Sequence, residues 1–394
     1  LESILSSHTN KKFDDKELSP AEILRATNEV VPFVERPEID DLDEWFNDKS
    51  SNTILIYGEG GSGKTRLLIE WERKVRDKFP EIHIGWLRSI ASPNMLAPIF
   101  SQDGDVVIII DYAEQRTQIL EALFKETENK SNVKVVLLSR SNSDWWKENI
   151  QGKCISPWER KAERMLYTDE KKRTYFDVAV KGLSRFFPEH EIPIADDLSA
   201  EIFSNPLFLF IAAYTSFLGS STNDSDSLLN EVLKREAEYW ETHIEKTDYD
   251  RKDKNIFKKN ITKAIGFFTL IGGIDDEESA IKWIQKIFPD FELRKDAISF
   301  ADDILKKFVP SDSDKKYLRG LEPDIVGEQL VNEVLEKDEK QTIINAVFDG
   351  GNEEYKRNAL TVLGRLAGRK PDAKKWIEQV LEGRFWELTP LVVS

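Results

Sequence analysis

The run Gly58-Glu59-Gly60-Gly61-Ser62-Gly63-Lys64-Thr65 has the spacing G-x-x-x-x-G-K-T. Glycines at those places let successive backbone N–H groups curl around phosphate oxygens. Lys64 adds a cation that can reach the β- and γ-phosphates of a nucleotide, and Thr65 a hydroxyl that can ligate Mg²⁺. A second run matches the first. Val106–Ile110 is wholly apolar and ends at Asp111, a carboxylate able to hold Mg²⁺ through water. Its other reading is a helix N-cap. Glu114, three residues on, can orient or activate an attacking water, or serve only as a first-turn acid on a helix dipole. Arg140 follows the apolar run Val135–Leu138 and Ser139. An arginine there can touch a γ-phosphate and report its presence, or form a surface ion pair.

These residues need a scaffold that brings strand ends together. Thr53–Tyr57 reads as a buried strand, Lys64–Lys78 as a helix, and His83–Trp86 as a second strand. Val106–Ile110 is apolar throughout, as a central parallel strand should be. Glu114–Glu128 reads as helix and Val133–Leu138 as a fourth strand. The sequence therefore predicts an α/β domain with a parallel sheet and flanking helices, over 21–160. Residues 1–20 read as a polar lead-in or linker. Residues 161–247 read as a helical domain, broken by the loop Gly219–Ser227. Residues 248–340 give three helices and two short β-like pieces around Phe308 and Tyr317–Leu318, a winged-helix pattern. Residues 341–394 read as helical hairpins.

The chain has 394 residues, 56 Lys plus Arg against 72 Asp plus Glu, and a net charge of −16. At about 150 residues per domain, two to three domains are expected. The acidic balance opposes general nucleic-acid binding, which needs clustered positive charge. The single cysteine, Cys154, cannot form an internal disulfide, so a cytoplasmic, intracellular protein is expected. The most apolar stretch, Leu207–Leu218, is too short for the about 20 residues of a membrane span. The start at Leu1 and the apolar end before Ser394 suggest a fragment of a longer protein.

The motifs taken in order resemble the STAND NTPases, signal-transduction ATPases with numerous domains related to NOD-like immune receptors. The resemblance covers about residues 28–340. Val31-Pro32-Phe33-Val34-Glu35-Arg36 resembles the family's adenine-contacting segment, with Arg36 as its arginine. Leu137-Leu138-Ser139-Arg140 resembles the sensor strand. Asn205-Pro206-Leu207 is similar to the G-x-P motif, whose proline packs on adenine; Pro206 also reads as an ordinary helix-start proline. Glu322-Pro323-Asp324-Ile325-Val326-Gly327-Glu328 resembles the winged-helix motif built on Met-His-Asp, with Asp324 in place and Pro323 where a histidine is usual. Asp111-Tyr112-Ala113-Glu114 and Ser139-Arg140-Ser141-Asn142-Ser143-Asp144-Trp145-Trp146 resemble a bacterial subtype.

The resemblance implies ATP or ADP with Mg²⁺ as cofactors, and a nucleotide site built from Val34, Arg36, Gly58, Gly60, Gly61, Ser62, Gly63, Lys64, Thr65, Arg66, Pro206 and Asp324. Lys64, Asp111, Glu114 and Arg140 would act in hydrolysis, with Thr65 and Asp111 on the metal. It implies a switch, closed on ADP and self-associating on ATP, with slow hydrolysis, in bacterial defence or signalling. An N-terminal effector and a C-terminal sensor would lie outside the sequence or be only begun in it, with the helical hairpins of 341–394 as the start of the sensor, and the trigger, a protein among the candidates, is not named by it. Membrane and nucleic-acid partners are not expected.

A DNA-binding initiator-type ATPase is the alternative, resting on the basic cluster Arg251, Lys252, Lys254, Lys258, Lys259 and Lys263. A solvated helix face is the plainer reading of that cluster. Trp145, Trp146, Trp376 and Trp386 are expected in the core rather than on a partner surface.

Overall fold

The computed structural model describes residues 1, 3–7, 18–88, 91–127, 130, 132–148, 150–162, 168–194, 197–220, 223–309, 316–337 and 340–388. They form two compact units, Leu1–Glu17 with Leu24–Leu228, and Leu18–Ile23 with Leu229–Ser394.

The first unit is built on a six-stranded sheet. Its strands are β1 (Leu5–Ser6), β2 (Thr53–Tyr57), β3 (His83–Leu87), β4 (Val106–Ile110), β5 (Val133–Ser139) and β6 (Trp158–Lys161), in the order β1-β3-β4-β5-β2-β6. All neighbouring pairs are parallel except β1 with β3. Parallel strands are covered on both faces, which is why β4 is apolar along its length and β2 and β5 nearly so, with Lys134 the one charged residue in β5. The pleat divides them. Leu55, Ile108, Ile110 and Leu137 join a core with α3 (Thr117–Thr127). Ile54, Ile56, Ile109 and Val136 join another with α1 (Glu38–Asn47) and α2 (Lys64–Lys78).

Two strands lie where the sequence gives little sign of one. Leu5–Ser6, inside the expected lead-in, pairs with Leu87 and Trp86 at the sheet edge. The Ser7 hydroxyl then donates to Glu72 at 2.8 Å, a buried carboxylate that also takes the Trp86 indole N–H at 2.7 Å. Trp158–Lys161 forms the opposite edge. One bulky aromatic followed by three charged residues, mostly half-buried, fits an edge strand, which carries no apolar run to betray it. The helix expected from Glu114 begins at Thr117, after a tight turn at Ala113–Gln115.

Helices α4 (Asp169–Leu183) and α5 (Pro206–Phe217) complete this unit. Lys172 ties α4 to the segment that leads into α5: its ammonium donates to the Leu198 carbonyl at 2.9 Å and the Ser199 and Ala200 carbonyls at 3.3 Å. Gly182 is required where α4 crosses the strap before α1, because a Cβ there would lie 2.5 Å from the Val30 carbonyl oxygen.

The second unit is helical. It contains most of α6 (Ser225–Glu245), then α7 (Arg251–Leu270), α8 (Glu277–Ile287), α9 (Asp324–Glu336), α10 (Lys340–Gly350), α11 (Glu353–Arg369) and α12 (Lys374–Leu381). The expected β piece around Phe308 is instead the end of a helical stretch, 294–308, widened at Phe300–Leu305. Ala301, Ile304, Leu305 and Phe308 are all buried, which is helical spacing. Leu318 forms an antiparallel bridge, but to Ile274. Residues 310–315, most of the expected hairpin loop, lie outside the described residues. Among the described residues no helix is long and apolar enough to cross a membrane.

Candidate phosphate-binding site

The loop Gly58–Thr65 leaves β2 and enters α2, and two of its glycines need their freedom. Gly61 and Gly63 take φ of +78° and +84°, the left-handed region that strains any residue with a Cβ. Lys64 is partly buried at the start of α2. Its ammonium donates to the Gly58 carbonyl at 2.6 Å, the Glu59 carbonyl at 3.0 Å and the Ser62 hydroxyl at 3.3 Å. Burial pulls its pKa down from 10.5 to about 8; Asp111 and Glu114 push it up, Arg140 and Arg36 push it further down. Those four charged residues are thus felt together at Lys64.

Thr65 donates its hydroxyl to the Asp111 carboxylate at 3.2 Å. This places two hard oxygen ligands side by side at the mouth of the loop. Among the described residues no group of three or more His, Cys, Asp or Glu could hold a metal. Mg²⁺ held by one or two protein oxygens together with nucleotide phosphates has no need of such a group, so the donor set fits. Beyond Asp111 the chain turns sharply. Tyr112 has a φ of 53° and its N–H donates to the other Asp111 oxygen at 2.9 Å. That turn sets Glu114 close enough for its charge to reach Lys64.

Arg36, distant in sequence, is 4% exposed and donates to the Ser62 carbonyl at 2.8 Å. Glu38 holds its guanidinium through a paired contact on the opposite edge. A Cβ at Gly63 would lie 2.9 Å from the same Arg36 nitrogen, so the glycine admits the arginine. Val34 is half-buried beside it in the chain. Phe33 lies under the Arg66 guanidinium, 5.4 Å from it, and Arg66 pairs with Glu29 at 3.2 Å and Glu70 at 2.9 Å. Tyr175 on α4 feels the charges of Arg36 and Arg66, although burial dominates and raises its pKa.

Helix α5 meets the loop through its first residues. Asn205 donates to the Gly60 carbonyl at 2.8 Å, and the buried Pro206 follows. Arg140 stands at the end of β5. The loop after it is strapped by Glu159 of β6, which accepts from Asn142 at 3.0 Å and from Trp146 and Gln151 at 2.8 Å.

Of the residues singled out in the sequence, Val34, Arg36, Gly58 to Arg66, Asp111, Glu114, Arg140 and Pro206 all belong to this unit. Asp324 belongs to the other, where it begins α9 and accepts from Arg365 of α11 at 2.9 Å. Asn205, Tyr175, Glu38 and Glu159 escape sequence reasoning as site residues. Only Asn205, sitting before a proline at a helix start, has a local signal. Trp146 and Trp376 are buried and Trp145 is half-buried, whereas Trp386 is 87% exposed, against the expectation of a core residue.

No family model matches the chain, and no curated protein does. Solved structures similar to it include a signal-transduction ATPase with numerous domains and a tetratricopeptide repeat sensor from Pyrococcus horikoshii. That likeness is at 13% identity and a TM-score of 0.36, covering 98% of this chain and 53% of that one. Domain III of the Thermotoga maritima replication initiation protein DnaA is similar at 18% identity and a TM-score of 0.34, over 51% of this chain and 93% of that one. Cdc6p from Pyrobaculum aerophilum is similar at 11% identity and 0.34, over 84% and 98%. These likenesses are partial, and the chemistry of the site rests on its own geometry.

Proposed function

We propose that the chain is an adenine-nucleotide-controlled switch of the STAND type, with regulatory ATP hydrolysis. The observation that supports this best is the convergence of four stretches far apart in sequence on one loop. Arg36 reaches Ser62, Asn205 reaches Gly60, Asp111 reaches Thr65, and the charge of Arg140 acts on Lys64. A bare glycine-rich turn needs none of these partners. The loop N–H groups, Lys64 and Arg140 would hold the phosphates, and Thr65 and Asp111 the Mg²⁺. A bound triphosphate supplies the anhydride to be cleaved. Glu114 would orient the water, and Val34, Arg36, Arg66 and Pro206 would border the base and sugar. Asp324 is proposed to act from the second unit on closure.

In this reading ADP is held at rest, and ATP favours an open, self-associating form by its differential affinity for the two arrangements. Defence or signalling in a bacterial cytoplasm is the setting the resemblance suggests. The initiator-type alternative draws no support from the basic cluster. Lys258 pairs with Glu245, Lys259 with Asp290 at 2.8 Å, and Lys254 donates to the Glu245 carbonyl at 2.9 Å, so much of its charge is answered locally.

Titration of the purified chain with ADP and ATP in Mg²⁺ tests the site. Lys64→Ala removes a charge-assisted contact worth about 1.5–3 kcal/mol, roughly ten- to hundredfold in affinity. Unchanged affinity in that variant sinks the assignment. Light scattering with each nucleotide tests the switch, which requires larger assemblies with ATP than with ADP.

A further inference from the structure

We infer that Asn205 is a positioning residue for the phosphate-binding loop, orienting its peptides and tying them to the first turn of α5. The inference rests on the nucleotide-binding reading and gives a role to a residue whose contact with the loop that reading cites without assigning it one.

Asn205 is bonded in both directions. Its Nδ2 donates to the Gly60 carbonyl at 2.8 Å, and its Oδ1 accepts the Leu207 N–H at 3.0 Å. The two partners fix which end of the amide is which, because a carbonyl can only accept and an N–H can only donate. Leu207 N–H also donates to the Gly61 carbonyl at 3.3 Å. Two successive loop carbonyls are therefore held by the start of one helix.

Each carbonyl shares a planar trans peptide with the next N–H, which points the opposite way. Holding the Gly60 and Gly61 carbonyls toward α5 turns the Gly61 and Ser62 N–H groups to the other side. N–H groups of such a loop are the ones that bind phosphate. Gly61 makes the approach possible. A Cβ there would sit 2.7 Å from Asn205 Oδ1 and 2.9 Å from Leu207 Cβ. The glycine is thus needed for the helix contact as well as for its φ of +78°.

A plain helix cap explains only half of this. As the N-cap of α5, Asn205 needs its Oδ1 alone, and serine or threonine would serve in its place. The donor aimed at Gly60 has no part in capping. An amide supplies both groups at the required reach; a hydroxyl ends too close to the backbone to hold Gly60 as well.

Asn205→Ser separates the two roles without adding charge. The expected result is a ligand-free melting temperature close to wild type and an ADP affinity about fivefold weaker, the loss of one neutral hydrogen bond. Asn205→Thr gives a second neutral cap with the same expectation, and decides the matter if the serine variant does not fold. Wild-type ADP affinity in a folded variant overturns the positioning role while the nucleotide site stands. Failure of the wild-type chain to bind ADP at all overturns both.

Discussion

Lys64 makes nucleotide affinity depend on pH in a window where ordinary lysines do not titrate. Burial lowers its pKa to about 8, with Arg140 and Arg36 adding to the effect and Asp111 and Glu114 opposing it. Only the ammonium form attracts phosphate, and bound phosphate holds that form. Affinity therefore scales with the fraction of charged Lys64 in the free chain. That fraction is roughly ten in eleven at pH 7 and roughly one in eleven at pH 9. ADP affinity should fall about tenfold between those values. Calorimetric titration at pH 6.5 to 9.5 reads it directly, with Lys64→Arg as the control that stays charged throughout.

The stability of the ligand-free chain should move the other way. Between about pH 8 and 10.5 the unfolded chain keeps the Lys64 proton that the folded chain has released, so stability rises with pH. The rise attributable to this group is up to about 3 kcal/mol. A flat affinity profile from pH 7 to 9.5 would refute the argument, since it would mean that Lys64 is charged across the range or does not touch the phosphates.

Two further outcomes are expected. Glu114→Gln should keep ATP affinity and lose hydrolysis, because a group that only orients water acts mainly in the transition state; steady-state turnover at the wild-type rate would move the base elsewhere. In the second unit, the fully buried Glu236 accepts the Ala21 N–H at 2.7 Å, and burial raises its pKa from 4.5 to about 7. The folded chain then holds a proton that the unfolded chain loses, so stability falls as pH rises from about 4.5 to 7, by up to about 3 kcal/mol. Glu236→Gln should remove that slope and melt higher than wild type at pH 8, and equal melting temperatures at pH 8 would refute it.

The sequence by itself determined the sheet's centre and the loop that leaves it. Thr53–Tyr57 and Val106–Ile110 have the bounds read from their apolar runs, because burial on both faces leaves a continuous signal, and Lys64–Lys78 those read from helical periodicity, because one face is buried. The phosphate loop is equally legible, since it needs glycine and lysine at fixed intervals of a single turn. The edges are not. Leu5–Ser6 is only two residues long in a mostly polar lead-in, and Trp158–Lys161 has three charged residues in four.

What only the tertiary structure decided is which distant groups answer the loop. Arg36 could be recognised as a motif residue, but nothing local says that its guanidinium ends on the Ser62 carbonyl or that Glu38 holds it there. Asn205 reads as a helix cap from its neighbours, and its second bond, to Gly60, spans 145 positions. The expected β piece at Phe308 gave way to helix because burial on one face at helical spacing outweighs short-range β preference. Periodicity records what a segment buries and local chemistry records how a turn is made. A hydrogen bond between segments depends on where both are carried by the packing of everything between them, and no window of sequence contains that.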